Sequence, residues 1–532
     1  MNPDGFENEQ TEQTHQREGR LTEFHRAYKR ALDRVREDAG GTHPIVVDGR
    51  AVETDDTFVV TSPGDRDLEI GEFAAAGTAE VDRAVDAAVG AVDEWRRTPW
   101  EERVDRFRAA AERMRDRKFE LAATLTLEAG KDRTEAVADV DEAIDFLRFY
   151  ARELERHEGY VYDTGDPPPD QHCTNRLEPF GVFAVVAPFN FPCAIFTGMV
   201  TGAAITGNAV VAKPASATPW IAHKVLDVLE AAGLPDGVVN LVTGGGSAVG
   251  DPLIEHEDVD GVAFTGSREV GRHIQRTFFE REKPGPVIAE LGGKNPVIVT
   301  DAADLSKAVS GVAYGAFGFG GQKCSATSRV YVHRSVYDEF VERLVDRTGD
   351  LVVRPPGHEE SVVAPLIDDD ALDRYRDVCE RARDVGTVLV GGEVVAGDEL
   401  PDGRYVLPTV ATDVPHGHEL AREEQFLPFV TVHPVDDLDE AIEKANDSRF
   451  GLCAGLFSED EAEIETWFER IESGMCYVNR EQSATTGALV GAQPFGGWKD
   501  SGTTSKFAGG YWYLPQFMRE QSRTVVGDVG RK

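Results

Sequence analysis

A chain of 532 residues is longer than one hydrophobic core can serve, so two or three domains are expected. A hydrophobic share of 41% supports real cores, while a mean hydropathy of -0.34 and the lack of any apolar run of about 18 residues exclude a helical membrane protein. The formal net charge of -39 excludes nucleic acid and anionic membrane as partners, since both would repel this surface.

The polar start (MNPDGFENEQTEQTHQREGR) lacks the basic and apolar stretches of a secretory signal, so a cytoplasmic chain is expected, with 1–20 as a loosely attached tail. Helical periodicity begins at 21–38 and recurs at 79–98, 101–117 and about 119–156, with short strand-like runs such as HPIVVDGR across 43–62. Segment 159–180 breaks that pattern and reads as two extended arms around a Pro-rich turn. From 181 the short runs VFAVVA, AVVAKP, GVVNLVT and VDGVAFT alternate with helical stretches. That is the pattern of a parallel, doubly wound sheet, which places ligands at the carboxyl ends of its strands. A second alternating region runs from about 295 to 500, opening on NPVIVT and including a helix around 336–347. The tail 519–532 contains SRTVVGD, read as a strand able to join another chain's sheet.

Only 13 of the 56 basic residues are Lys, so Arg dominates. Charge of this size loosens a compact state in dilute buffer, whereas salt shortens the Debye length to about 3 Å at 1 M; the charge points to a salt-rich cytoplasm, against the plainer reading of a merely acidic protein. The six cysteines lie far apart with no CxxC pair, which fits neither a disulfide framework nor a zinc site, and no metal is expected. Most should be buried and inert.

Cys324 sits in FGFGGQKCSATSR, where Gly318, Gly320 and Gly321 permit close backbone approach. A nucleophilic thiol needs access and thiolate character, which an exposed turn beside cationic groups supplies; a lone Cys is otherwise a small buried hydrophobe. Glu290 ends an apolar run (PVIAELGGKNP) and is placed as a general base, against the plainer reading of a solvated or capping glutamate. Asn190, in APFNFP, is placed as an oxyanion donor, against a turn residue between prolines. Lys213 closes the strand AVVAK, Gly266 and Ser267 in FTGSREVG stand at a helix start suited to a pyrophosphate, and Gly246 lies in the similar VTGGGSAVGD. Neither glycine motif matches G-x-G-x-x-G in its standard place; together, in successive strand–turn–helix units, they carry more weight than either alone.

These residues jointly resemble the aldehyde dehydrogenase superfamily over about 40–520, through PFNFP, KPA, FTGS, ELGGKNP, GQKCSA, EEQF and PFGGWKDSG in the family's order. The resemblance implies an α/β fold: a Rossmann-type cofactor domain (40–157 and 181–291), a catalytic domain (292–500), a bridging arm (158–180 with 501–532) and an N-terminal tail and helix (1–39). It implies Cys324 as nucleophile, Asn190 with the Cys324 N–H as oxyanion hole, and Glu290 activating the deacylating water. For the cofactor it implies Lys213 on the adenosine ribose, Ser267 on the pyrophosphate, and Glu424 on the nicotinamide ribose with Phe426 packed nearby. The family's EEIFGP reads EEQFLP here, with Leu427 in place of glycine. Ser216 stands where NAD-selective relatives often carry an acid, so NAD is expected and NADP is compatible.

Within the superfamily the chain most resembles the 1-pyrroline-5-carboxylate dehydrogenases, through TTGALVGAQPFGG (485–497), SGTTSKFAGGYWYLPQFM (501–518) and an N-terminal helix followed by THPIVVDGR. Phe507 and Tyr511–Trp512 depart from the usual wording. The implied substrate is glutamate γ-semialdehyde, its α-carboxylate held by the N–H groups of Gly487 and Ala488 and the Ser325 hydroxyl, its methylenes between Phe191 and Phe495. Ordinary core packing is the plainer reading of both phenylalanines. Arms that project from the body cannot bury their apolar residues alone, so at least a homodimer is expected. The competing expectations are an aldehyde dehydrogenase for another substrate, such as succinate semialdehyde, and a non-catalytic binding protein on the same fold, which could lose Cys324 or Glu290 freely.

Overall fold

The computed structural model describes residues 6–165, 170–397, 399–481 and 489–527. Two seven-stranded sheets form its centre. The first runs Val287–Glu290, Gly261–Thr265, Val182–Val186, Ala209–Lys213, Val239–Leu241, Ile45–Val47, Arg50–Val52. The five strands from 182 onward are mutually parallel, and the N-terminal hairpin closes the edge antiparallel. Alternation along each strand serves two cores: Phe183, Val185, Val210 and Ala212 face one, while Val182, Ala184, Ala209 and Val211 face the other. With both faces covered by helices, the strands read as unbroken apolar runs. Strand order reverses between Val182–Val186 and Gly261–Thr265, which opens a crevice at their carboxyl ends.

The second sheet runs Thr387–Val390, Thr409–Thr412, Phe429–Val435, Thr327–His333, Asn295–Val299, Cys453–Phe457, Met475–Val478, and is parallel except for its first pair. This is the mixed α/β architecture expected. Only Leu291–Lys294 separates the last strand of the first sheet from Asn295–Val299 of the second, so the carboxyl ends of one sheet meet the amino ends of the other.

Three expectations need correction. The N-terminal segment is not loose from residue 6 on: Thr11–Arg17 is helical, and Phe6 is buried edge-on against Phe149 at 5.3 Å. Two carboxylates of the helix Arg133–Arg156 hold the segment, Asp145 accepting from Asn8 Nδ2 at 2.9 Å and Asp141 from the Thr11 N–H at 2.8 Å. The helical stretch about 119–156 is two helices, Lys118–Ala129 and Arg133–Arg156. Gly130 takes a left-handed φ of 75° to end the first, and Asp132 caps the second by accepting from the Glu135 N–H at 2.9 Å. Finally, Met518–Val526 pairs antiparallel with Gln171–Pro179 of its own chain, whose other edge takes Val161–Gly165. The two arms do flank 166–169 as read, and they form a three-stranded sheet in cis.

Candidate active site

Strand ends of the first sheet deliver the first part of the site. Val182–Val186 leads through Pro188 to Asn190, whose side chain is buried. Glu290 is the last residue of its strand and pairs with Thr265, so Gly266 and Ser267 emerge beside it. Lys213 ends its strand opposite Val186.

Cys324 comes from the other side of the junction. The helix Leu305–Phe317 ends in the turn Gly318–Gly321, and Cys324 follows just before the strand Thr327–His333. Gly321 has a φ of +66°, and a Cβ there would lie 2.2 Å from the Leu427 carbonyl oxygen, so only glycine fits. Gly293 is needed for the same reason: its Cβ would stand 2.4 Å from the Cys324 carbonyl. Asn295 then pins the turn, donating from Nδ2 to the carbonyls of Cys324 at 2.7 Å and Ala326 at 2.9 Å, while its Oδ1 accepts from the Cys453 N–H at 3.0 Å.

Cys324, Ser325, Glu290, Phe191 and Phe495 line one cavity of about 60 Å³, together with Glu142 and Tyr513. Five of the residues singled out in the sequence thus meet around one space. Gly487 and Ala488 lie outside the described residues. The electrostatics of the cavity differ from the expected cationic turn. Burial pushes the Cys324 thiol above its ordinary value, and the carboxylates of Glu424 and Glu290 push it further. Lys323, the nearest cation in sequence, points away and is paired with Glu135 at 2.5 Å. Burial also holds Glu290 well above the usual carboxylate range, partly offset by the Gly497 N–H, and its Oε2 has no hydrogen-bond partner among the described residues.

The crevice at the strand ends offers a separate cradle. Ser267 caps the helix Arg268–Glu280, accepting from the Val270 N–H at 3.4 Å, and a helix start is suited to an anion. Gly246 lies exposed in the turn Gly246–Gly250. Ser216 donates to the Gly244 carbonyl at 2.8 Å and is neutral. Lys213 is buried, which lowers its pKa to about 8, and it donates to the Pro214 carbonyl at 3.1 Å. Glu424 accepts from the Gly293 N–H at 2.9 Å, with burial raising it to about 7. Phe426 absorbs the local turn with φ +59° and packs edge-on to Phe189 at 5.8 Å. Leu427 needs no glycine backbone: it is buried in the cluster that includes Leu366 and Phe429. The residues present fit a dinucleotide: a helix start for phosphate, a cation, and a carboxylate to accept from ribose hydroxyls.

The aldehyde dehydrogenase family profile matches residues 51–522. The chain belongs to the aldehyde dehydrogenase family. It is 41% identical to 1-pyrroline-5-carboxylate dehydrogenase 2 of Bacillus subtilis (strain 168), across 94% of this chain and 95% of that one. It is 39% identical to the 1-pyrroline-5-carboxylate dehydrogenase of Geobacillus kaustophilus (strain HTA426), across 94% and 95%. The crystal structure of 1-pyrroline-5-carboxylate dehydrogenase from Thermus with bound NAD superposes with a TM-score of 0.91 at 37% identity, covering 99% of this chain and 100% of that one. Betaine aldehyde dehydrogenase from Staphylococcus aureus gives 0.87 at 29% identity, covering 92% and 96%.

For a family member, reading the residues one motif at a time missed part of the site. Glu142 lies in a helix read only as amphipathic, and it reaches the cavity because it shares a face with Glu135 and Asp139 at i, i+4, i+7 spacing. Burial, reinforced by Asp139, raises it to about 8. Carboxylates on the inward stripe of a buried helix were the available signal. Tyr513 and Asn295 lie within motifs that carry the resemblance, but the contacts that bring them to the site are remote in sequence.

Proposed function

We propose that this enzyme oxidises L-glutamate γ-semialdehyde, the open form of 1-pyrroline-5-carboxylate, to L-glutamate with NAD, the second step of proline degradation. The observation that carries the reading is the meeting of Cys324 and Glu290 with Ser325, Phe191 and Phe495 around one cavity. The relatives named for this substrate, at about 40% identity along almost the whole chain, support the choice of aldehyde. The Thermus relative with bound NAD supports the cofactor. A neutral Ser216 leaves room for the extra phosphate of NADP as well.

Cys324 Sγ, having given its proton to solvent, attacks the aldehyde carbon. The oxyanion of the resulting thiohemiacetal takes hydrogen bonds from the Asn190 amide and the Cys324 N–H. NAD, when bound, would supply the hydride acceptor that takes that carbon to the oxidation level of an acid, leaving a thioester on Cys324. Lys213, Ser267, Gly246, Gly266, Glu424 and Phe426 would hold the cofactor. Glu290 takes a proton from water, whose oxygen attacks the thioester and expels the Cys324 thiolate with glutamate. The Ser325 hydroxyl donates to the substrate's α-carboxylate, while Phe191 and Phe495 enclose its methylenes. Divided at 39, 157, 180, 291 and 500, the chain supplies a cofactor domain, a catalytic domain and an arm. The arm sheet carries exposed Val161, Tyr162 and Val526, which supports burial against a second copy. The charge of -39 supports a salt-rich cytoplasm as its setting.

The test is intact-mass spectrometry of Glu290→Gln mixed with NAD and pyrroline-5-carboxylate. The reading expects a glutamyl thioester that persists on this variant and never forms on Cys324→Ala. Loss of the acyl group from Glu290→Gln at the wild-type rate would overturn the role of Glu290, and formation on Cys324→Ala would overturn the mechanism.

A further inference from the structure

One face of the helix Arg133–Arg156 holds both turns that carry the chemistry. Glu135 receives Lys323 Nζ at 2.5 Å and the Tyr314 hydroxyl at 2.9 Å, and Lys323 is the residue before the nucleophile. One turn further along, Asp139 Oδ1 accepts from the Ala194 N–H at 2.7 Å. Ala194 opens the helix Ala194–Ile205, four residues after Asn190, and the Ile195 N–H donates back to the Phe191 carbonyl at 3.0 Å. The start of that helix and the loop bearing Asn190 are therefore one hydrogen-bonded unit, anchored on Asp139. Asp139 Oδ2 lies 3.1 Å from Lys131 Nζ, and neither side chain is exposed at all. Lys131 Nζ in turn sits 3.6 Å from the centre of the Phe191 ring and 4.7 Å from that of Phe319, in the turn just before Cys324.

We propose that the buried pair Lys131–Asp139 is a positioning device for the oxyanion hole: Asp139 fixes the height of the Asn190 loop, and Lys131 seats the Phe191 ring beside it. An ion pair taken wholly out of water is a poor source of net stability, because desolvation offsets most of the attraction. A hydrophobic pair of similar volume would serve a core as well. What such a pair cannot do is accept the Ala194 N–H while turning a cation to an aromatic face. Both contacts converge on residues 190–194, one turn from the oxyanion donor. An error of about 1 Å in such a donor can cost about 100-fold in rate.

The inference rests on the reading of Asn190 as the oxyanion donor, and the experiment separates the two. Lys131→Met/Asp139→Leu, Asp139→Asn and Asn190→Ala are made alone, and the first is also combined with the third. Each is assayed for kcat and KM with pyrroline-5-carboxylate and with propanal, and for the rate at which iodoacetamide alkylates Cys324, a reaction with no oxyanion. Lys131→Met/Asp139→Leu is expected to fold, and to lose roughly 10- to 100-fold in kcat with both aldehydes, at little change in KM for propanal. Its alkylation rate should stay within about twofold of wild type. Asp139→Asn, which keeps an oxygen for the Ala194 N–H but leaves Lys131 buried without its carboxylate, should lose less kcat than the double replacement while lowering the denaturation midpoint. In the Asn190→Ala background the double replacement should add almost nothing, because both act through one group. Additive losses, or alkylation falling in step with kcat, would overturn the positioning role. An Asn190→Ala enzyme with wild-type kcat would instead overturn the oxyanion assignment on which it rests.

Discussion

At Cys324, burial and two carboxylates act together against the thiolate, and the order of those effects makes a prediction. Burial is the largest, Glu424 next and Glu290 third. Glu424 itself titrates near 7, so above that pH it is the charge that repels the thiolate. In the free enzyme, alkylation of Cys324 should climb with pH through 9 without levelling. Glu424→Gln should raise the rate several-fold at pH 8–9 and change it little at pH 6, where Glu424 is already protonated in the wild type. Equal rates at pH 9, read by mass spectrometry of the labelled peptide, would show that Glu424 does not face the thiol. The sequence made Cys324 conspicuous through its glycines, yet it suggested a cationic neighbourhood. The error is physical: Lys323 is adjacent in sequence, but Glu135, 188 residues away, draws its amine to the other side.

Elements were legible where their signal was local. The helix Leu21–Asp38 and the two arms around 166–169 follow from periodicity and from the Pro-rich turn alone. The parallel strands were legible as apolar runs, because both their faces are covered. What stayed hidden was decided by distant partners. Residues 6–20 are polar in composition and fold against the body because distant helices offer them buried carboxylates, cations and the Phe149 ring. Glu9 is central there: it pairs with Arg115 at 2.7 Å, Lys118 at 2.8 Å and Arg148 at 3.2 Å, and is 17% exposed. Replacing it with alanine leaves Lys118 buried with Asp141 as its remaining carboxylate. Glu9→Ala should cost about 2 kcal/mol in chemical denaturation and speed proteolysis of the first 20 residues, whereas an unchanged midpoint and protease map would mean the segment contributes nothing. The strand Met518–Val526 was legible as a strand, but its partner was not, since pairing within or between chains uses the same edge.

For the whole molecule, two sheets placed end to end explain why the proposed catalytic set is scattered over the chain. Glu290 comes from the carboxyl end of one sheet and Cys324 from the amino end of the other, and they line one cavity across that junction, while Asn190 follows a neighbouring strand of the first sheet. Charge acts at this scale too. A net -39 repels itself through every layer, so salt that screens it should favour the compact state more than it weakens the exposed ion pairs, each worth little on its own. Both arguments meet in one assay, NADH formation at 340 nm in molar KCl with pyrroline-5-carboxylate, succinate semialdehyde and propanal compared at equal concentration. The account predicts a clear preference for pyrroline-5-carboxylate, with turnover falling when KCl is lowered to about 0.1 M; equal or faster turnover of either control aldehyde would contradict the assignment of this cavity to the glutamate semialdehyde.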